Sequence, residues 1–159
     1  MQPMTTHDTT QDLTQEQIQR LIATSTGFIE AYVIPVYGDA AILLPQNVVL
    51  SAMSVAANVN QVEWHDKVLP TYIVHRPELH DVTALVIEGE SEATRFAILC
   101  DDMPQAMRLR ISGVLDLEKP TPSHVYEYVS VDGQEYQIPH LRHIQAQLFG
   151  RIQAASATV

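Results

Sequence analysis

The chain has 159 residues, of which 46% are hydrophobic and 18% charged, enough apolar material for one compact domain or two very small ones sharing a core, and too much for a disordered protein. Nine Lys and Arg against nineteen Asp and Glu give a formal charge of −10, and with the cations scattered singly the sequence lacks the clustered positive surface that nucleic acid requires. No apolar run approaches the roughly 20 residues of a spanning helix, and the first residues hold neither a positive cluster nor an apolar signal core, so no membrane insertion is expected and the expected location is cytoplasmic.

Residues 1–13 are polar and Thr/Gln-rich without periodicity, the pattern of a disordered lead. Thr14-Gln15-Glu16-Gln17 then matches a capping box, in which the Thr hydroxyl accepts from a backbone N–H three residues on and Gln17 reaches back. Ile18, Leu21 and Ile22 follow on one helical face, predicting a short N-terminal helix within 14–27.

From Phe28 to about Ile138 the signals are those of β structure, with short Val/Ile/Leu/Tyr runs divided by Gly-Asp, His-Asp, Glu-Gly-Glu-Ser-Glu and Asp-Gly turns. Pro35 lies inside the first run and cannot donate to a ladder, so that strand is predicted to be an edge or to be bulged there. The order of signals recurs. A strand pair (31–44), a further strand at 48–50 and a Pro-containing hairpin (62–74) are matched by a second pair (84–100), a strand at 107–111 and a last hairpin (128–139). Two similar β modules in tandem predict a duplicated small barrel.

After Pro139 the period changes from two to about 3.6. Ile138, Leu141, Ile144, Leu148 and Ile152 share one face, with His140, Arg142, Gln145 and Gln147 on the other, predicting a C-terminal amphipathic helix. Residues 28–153 thus form a single mainly β domain of two subdomains, and the Ala/Ser/Thr tail over 154–159 is expected to fray.

Little in the chain points to catalysis. Cys100 sits in an apolar run with nothing basic beside it and reads as a small buried hydrophobe. There is no Gly-x-Ser-x-Gly elbow and no Gly-rich phosphate loop. Asp101-Asp102 resembles the acidic pair of a receiver domain, but it occurs past the middle and only Lys119 follows, so it reads as a turn. Seven histidines, with His140 and His143 spaced i, i+3 and His75 near His80, allow an alternative in which a small β-barrel binds a metal or small ligand through them. No His-Glu-x-x-His and no cysteine pair supports it, and surface positions are expected for these residues. No enzyme activity and no cofactor are expected.

Trp64, the single tryptophan, stands beside His65-Asp66-Lys67 on a hairpin. Alternation with Val62 makes it a barrel core residue, while the enrichment of Trp in binding hot spots makes it an interface anchor. Two barrels also offer edge strands and a groove between them for protein partners or for self-association.

In order and spacing, residues 32–44, 63–74, 84–101 and 129–138 resemble the successive strand pair, Pro-containing hairpin, second pair and Asp-Gly hairpin of CheW-like domains, over roughly residues 28–149. The resemblance implies two five-stranded SH3-like barrels around a shared hydrophobic core, with the N- and C-terminal helices as additions. It implies a non-catalytic scaffold that couples a methyl-accepting chemotaxis receptor to the regulatory domain of a CheA-type histidine kinase. The protein-binding residues it implies are Val49 and Leu50 on an exposed face and Trp64, His65, Asp66 and Lys67 on the hairpin. His65 stands where the family usually has a partner-contacting arginine, and the connection over 52–61 is short. Those departures resemble the short, ChpC-like members that accompany type IV pilus systems controlling twitching motility.

Overall fold

The computed structural model describes residues 27–157, with side chains to residue 151. The lead over 1–13 and, apart from Gly27, the helix expected within 14–27 lie outside the described residues. Eleven strands follow Gly27: β1 (Phe28–Val36), β2 (Asp39–Pro45), β3 (Val49–Ala56), β4 (Gln61–Trp64), β5 (Lys67–Ile73), β6 (Asp81–Ile87), β7 (Phe96–Cys100), β8 (Gln105–Arg110), β9 (Val114–Asp116), β10 (Val125–Val131) and β11 (Gln134–Pro139). Helix α1 (Leu141–Ala157) closes the described chain. No described helix is long and apolar enough to cross a membrane.

The strands form two sheets, in the orders β8-β1-β2-β11-β10-β9 and β3-β6-β7-β5-β4. The fold is mainly β, in two small subdomains with one C-terminal helix. Along each order the first four pairings are antiparallel, antiparallel, parallel and antiparallel, so β3, β6, β7, β5 and β4 correspond to β8, β1, β2, β11 and β10. The duplication read from the sequence is therefore present, but the two repeats are interleaved. The pair β1–β2 of the first repeat completes the sheet of the second, and β6–β7 of the second completes the sheet of the first.

Composition explains the exchange. A strand buried on both faces reads as a continuous apolar run, whereas a strand with one wet face alternates. All five residues of β7 and the last six of β6 are buried. One face of this pair, Val82, Ala84, Val86, Ala97 and Leu99, fills the interior of its own sheet with Val62 and Leu69. The opposite face, Leu85, Ile87, Phe96, Ile98 and Cys100, meets Ile34, Ile42 and Leu44 of β1–β2 in a shared core. On β1–β2 the other face, Ala31 and Leu43, joins Leu109, Val129, Val131 and Ile138. Each pair is thus the partition between its own barrel and the shared core, and truncating Phe96 there to Ala would cost about 3–5 kcal/mol.

The shared core fills the groove expected between the barrels. Leu141, Ile144 and Leu148 of α1 enter it along one face, as the periodicity predicted. Gln145, read as polar-face, is also buried. The Nδ1 of His140 accepts from the His143 amide at 3.2 Å, so a histidine caps this helix.

Turn chemistry fixes the registers. Asp132 and Gly133 have φ of 51° and 80°, and His65 and Asp66 have φ of 51° and 62°, the left-handed pairs that two-residue hairpins need. The ladder of β1 and β2 shifts between Ile34 and Val36, which places a bulge at Pro35 as predicted; β1 is nevertheless a central strand, paired with both β2 and β8, and tolerates Pro35 because the pairing with β8 ends at Val33.

Candidate protein-binding surface

The hairpin β4–β5 projects at the edge of the second sheet, closed by the Trp64–Lys67 pair. Alternation buries Val62 beneath it and leaves Trp64 half-buried on the same face, against the barrel interior. Trp64 is thus a core residue by its inner edge and a surface residue by its outer one. The His65 ring lies over the indole with centroids 4.2 Å apart and planes inclined by 32°. The guanidinium carbon of Arg95 stands 5.5 Å from the indole centroid, a cation–π arrangement.

Arg95 arrives from the other repeat, in the connection between β6 and β7, and is held by Glu88, whose Oε1 accepts from Nε at 2.9 Å. A capping box at Ser91 shapes that connection, its hydroxyl accepting from the Ala93 amide at 3.2 Å while Thr94 Oγ1 accepts from the Ser91 amide at 3.1 Å. His65, Asp66, Lys67 and Val68 are exposed around the indole, with Val68 56% accessible. The arrangement is an amphipathic tip, with an aromatic anchor braced by a cation and rimmed by charges of both signs, the composition of binding hot spots. Nothing in the local sequence around Trp64 announces Arg95 or Glu88, because the contact crosses between repeats.

Val49 and Leu50, expected on an exposed face, are half-buried at the start of β3. A register shift between Val49 and Ser51 turns them to opposite sides, with Val49 against the shared core and Leu50 against the interior of the second sheet. They lie in the same sheet as Trp64 but on its opposite edge strand. Beyond the filled groove there remains a cleft of about 300 Å³ between β5 and α1, lined by Thr71, Tyr72, Ile73, Gln147, Leu148 and Arg151. Burial, reinforced by the charge of Asp39, raises the Tyr72 hydroxyl above its ordinary pKa.

Several residues that suggested chemistry have structural partners. Cys100 is fully buried, its thiol donates to the Asp102 carbonyl, and burial pushes it up to about 12. Asp101 ties down the loop after β5, accepting from the Arg76 amide at 2.8 Å and from its Nε at 2.9 Å. His75 is buried, contrary to the surface position expected of it, with Nδ1 2.7 Å from the Arg76 carbonyl and Nε2 without a hydrogen-bond partner among the described residues. Among the described residues no three His, Cys, Asp or Glu side chains converge as metal ligands.

The nested pair of β subdomains around one core defines a CheW-like fold. Among the solved structures it is similar to is that of the scaffolding protein TtCheW from Thermoanaerobacter tengcongensis, with a TM-score of 0.54 and 9% identity, over 70% of this chain and 88% of that one. No protein-family model and no curated protein matches the sequence.

Proposed function

We propose that the protein is a non-catalytic cytoplasmic adaptor of a bacterial chemosensory system, coupling a methyl-accepting receptor to a CheA-type histidine kinase. The observation that carries this reading is the exchange of strand pairs around one core, a fold similar to that of a scaffolding protein. Trp64, His65, Asp66 and Lys67 form the principal contact, and Val49 and Leu50 a second contact region on the same sheet. Replacement of the family's arginine by His65 and the shortness of the segment over 52–61, whose first residues belong to β3 and whose last opens β4, support assignment to the short members that serve type IV pilus twitching motility.

Titration calorimetry of the full chain against the regulatory domain of each CheA-type kinase of its own organism tests the reading, with micromolar or tighter binding expected for one of them. Trp64→Ala with Lys67→Glu is expected to weaken that binding about thirtyfold, or about 2 kcal/mol, for loss of one anchoring aromatic and its charged neighbour. Since Trp64 also packs inward, a melting curve must show the variant folded. Unchanged affinity in the folded variant moves the site off this hairpin.

A further inference from the structure

A second surface lies on the other sheet. Among the described residues strand β8 pairs with β1 alone, so one side of its backbone carries no partner strand from them. The register places Phe28 opposite Arg110 and Glu30 opposite Arg108, which puts these four side chains on one face while Ile29, Met107 and Leu109 turn into the barrel. Phe28 is 48% exposed. The guanidinium carbons of Arg108 and Arg110 lie 4.6 and 5.0 Å from its ring centroid. Arg108 shares its charge with Glu30 at 3.4 Å, whereas Arg110 makes no ion pair among the described residues.

In a chain of formal charge −10, two of only nine cations are thus gathered on one exposed aromatic beside a strand edge that is unpaired among the described residues. Charged residues on an edge can serve to repel other strands, but that purpose is poorly served by leaving a phenyl ring open beside them. Exposed arginines on the edge strand can instead turn from Phe28 to receive carboxylates of a strand added beside them, and the edge, unpaired among the described residues, supplies backbone donors and acceptors.

We infer that the β8 edge docks an acidic, extended segment of a partner protein as an added strand, its carboxylates on Arg108 and Arg110. The inference does not depend on the adaptor reading, since the Trp64 hairpin belongs to the other sheet. The same chemistry offered by a second copy of this chain is an alternative that the experiment separates.

The probe is a fluorescein-labelled peptide of about ten residues, strand length, alternating Glu with Val and Thr. Its partners in the assay are a counterpart with Lys for Glu and a third peptide N-methylated at alternate amides. Anisotropy with the full chain is expected to show the acidic peptide bound at least about tenfold more tightly than the basic one, a difference of about 1.4 kcal/mol. Arg108→Glu with Arg110→Glu, both exposed and therefore compatible with the fold, is expected to reverse that preference. N-methylation is expected to abolish binding, because it removes the ladder donors. Equal binding of acidic and basic peptides, no binding of either, or indifference to N-methylation overturns the proposal. So does a dimer, seen by sedimentation, that is lost in the double variant and unaffected by the peptide, since the edge would then belong to a second copy.

Discussion

Tyr72 of β5 lies opposite Ile98 of β7 in parallel register, which bonds the last strand of the first repeat to the central pair of the second. The reciprocal bond joins Ile42 of β2 to Gln137 of β11. Neither repeat can therefore complete a sheet alone. Separately produced segments 1–78 and 79–159 are expected to lack dispersed amide signals, and their equimolar mixture to recover the spectrum and single melting transition of the intact chain. Independent folding of either segment would contradict the exchange.

The period-two runs, the Gly and Asp turns and the change of period after Pro139 placed most of the strands and α1 because those signals are local, but the short β9 was not foreseen and β3 runs on to Ala56 over residues read as a connection. The duplication was also legible, since each repeat carries its own turn residues. The exchange was written less directly, in the continuous burial of residues 82–87 and 96–100, which marks strands covered on both faces but not what covers them. Among the site residues, Val62 and Trp64 follow from alternation, whereas Arg95 and Glu88 reach Trp64 through pairing across repeats that no spacing encodes. The half-burial of Val49 and Leu50 arises from a bulge with no Pro or Gly to signal it.

The turn at His65-Asp66 gives a means of separating stability from recognition. Both residues hold positive φ without being glycine, at a cost that Asn-Gly would relieve. His65→Asn with Asp66→Gly is expected to stabilise the protein by about 0.5–1 kcal/mol, read as a higher midpoint in urea. If these side chains contact the kinase, affinity falls in the same variant although stability rises. Higher stability with unchanged affinity would confine recognition to Trp64 and Lys67.

Burial of the Cys100 thiol sets both its reactivity and an alkaline limit on stability. With the folded value raised to about 12 from an ordinary 9.0, the folded protein holds a proton that the unfolded chain releases between those values. The contribution is fully present below pH 9.0 and is lost as the pH rises towards 12. Urea midpoints measured from pH 8 upward should fall, and Cys100→Ala should fall less steeply across that window despite starting lower. An aromatic disulfide reagent at pH 8 should label the native protein only at the rate of unfolding, and the denatured chain at once.

Gly89 links the β6–β7 connection to the indole surface. A Cβ at this position would stand 2.7 and 2.8 Å from the carbonyl carbon and oxygen of Thr94, backbone atoms fixed by the Ser91 capping box. Gly89→Ala must therefore displace the connection that presents Glu88 and Arg95, at about 1–3 kcal/mol for the overlap. The expected sign is a change in the emission of Trp64, the only tryptophan, as Arg95 leaves its face. Ser91→Ala is the control, since it removes the cap at about 1 kcal/mol without forcing the backbone apart. If Arg95 braces the indole for binding, Gly89→Ala weakens kinase affinity more than Ser91→Ala does, by more than their difference in stability accounts for. Equal affinities in the two folded variants would make Arg95 a bystander to recognition.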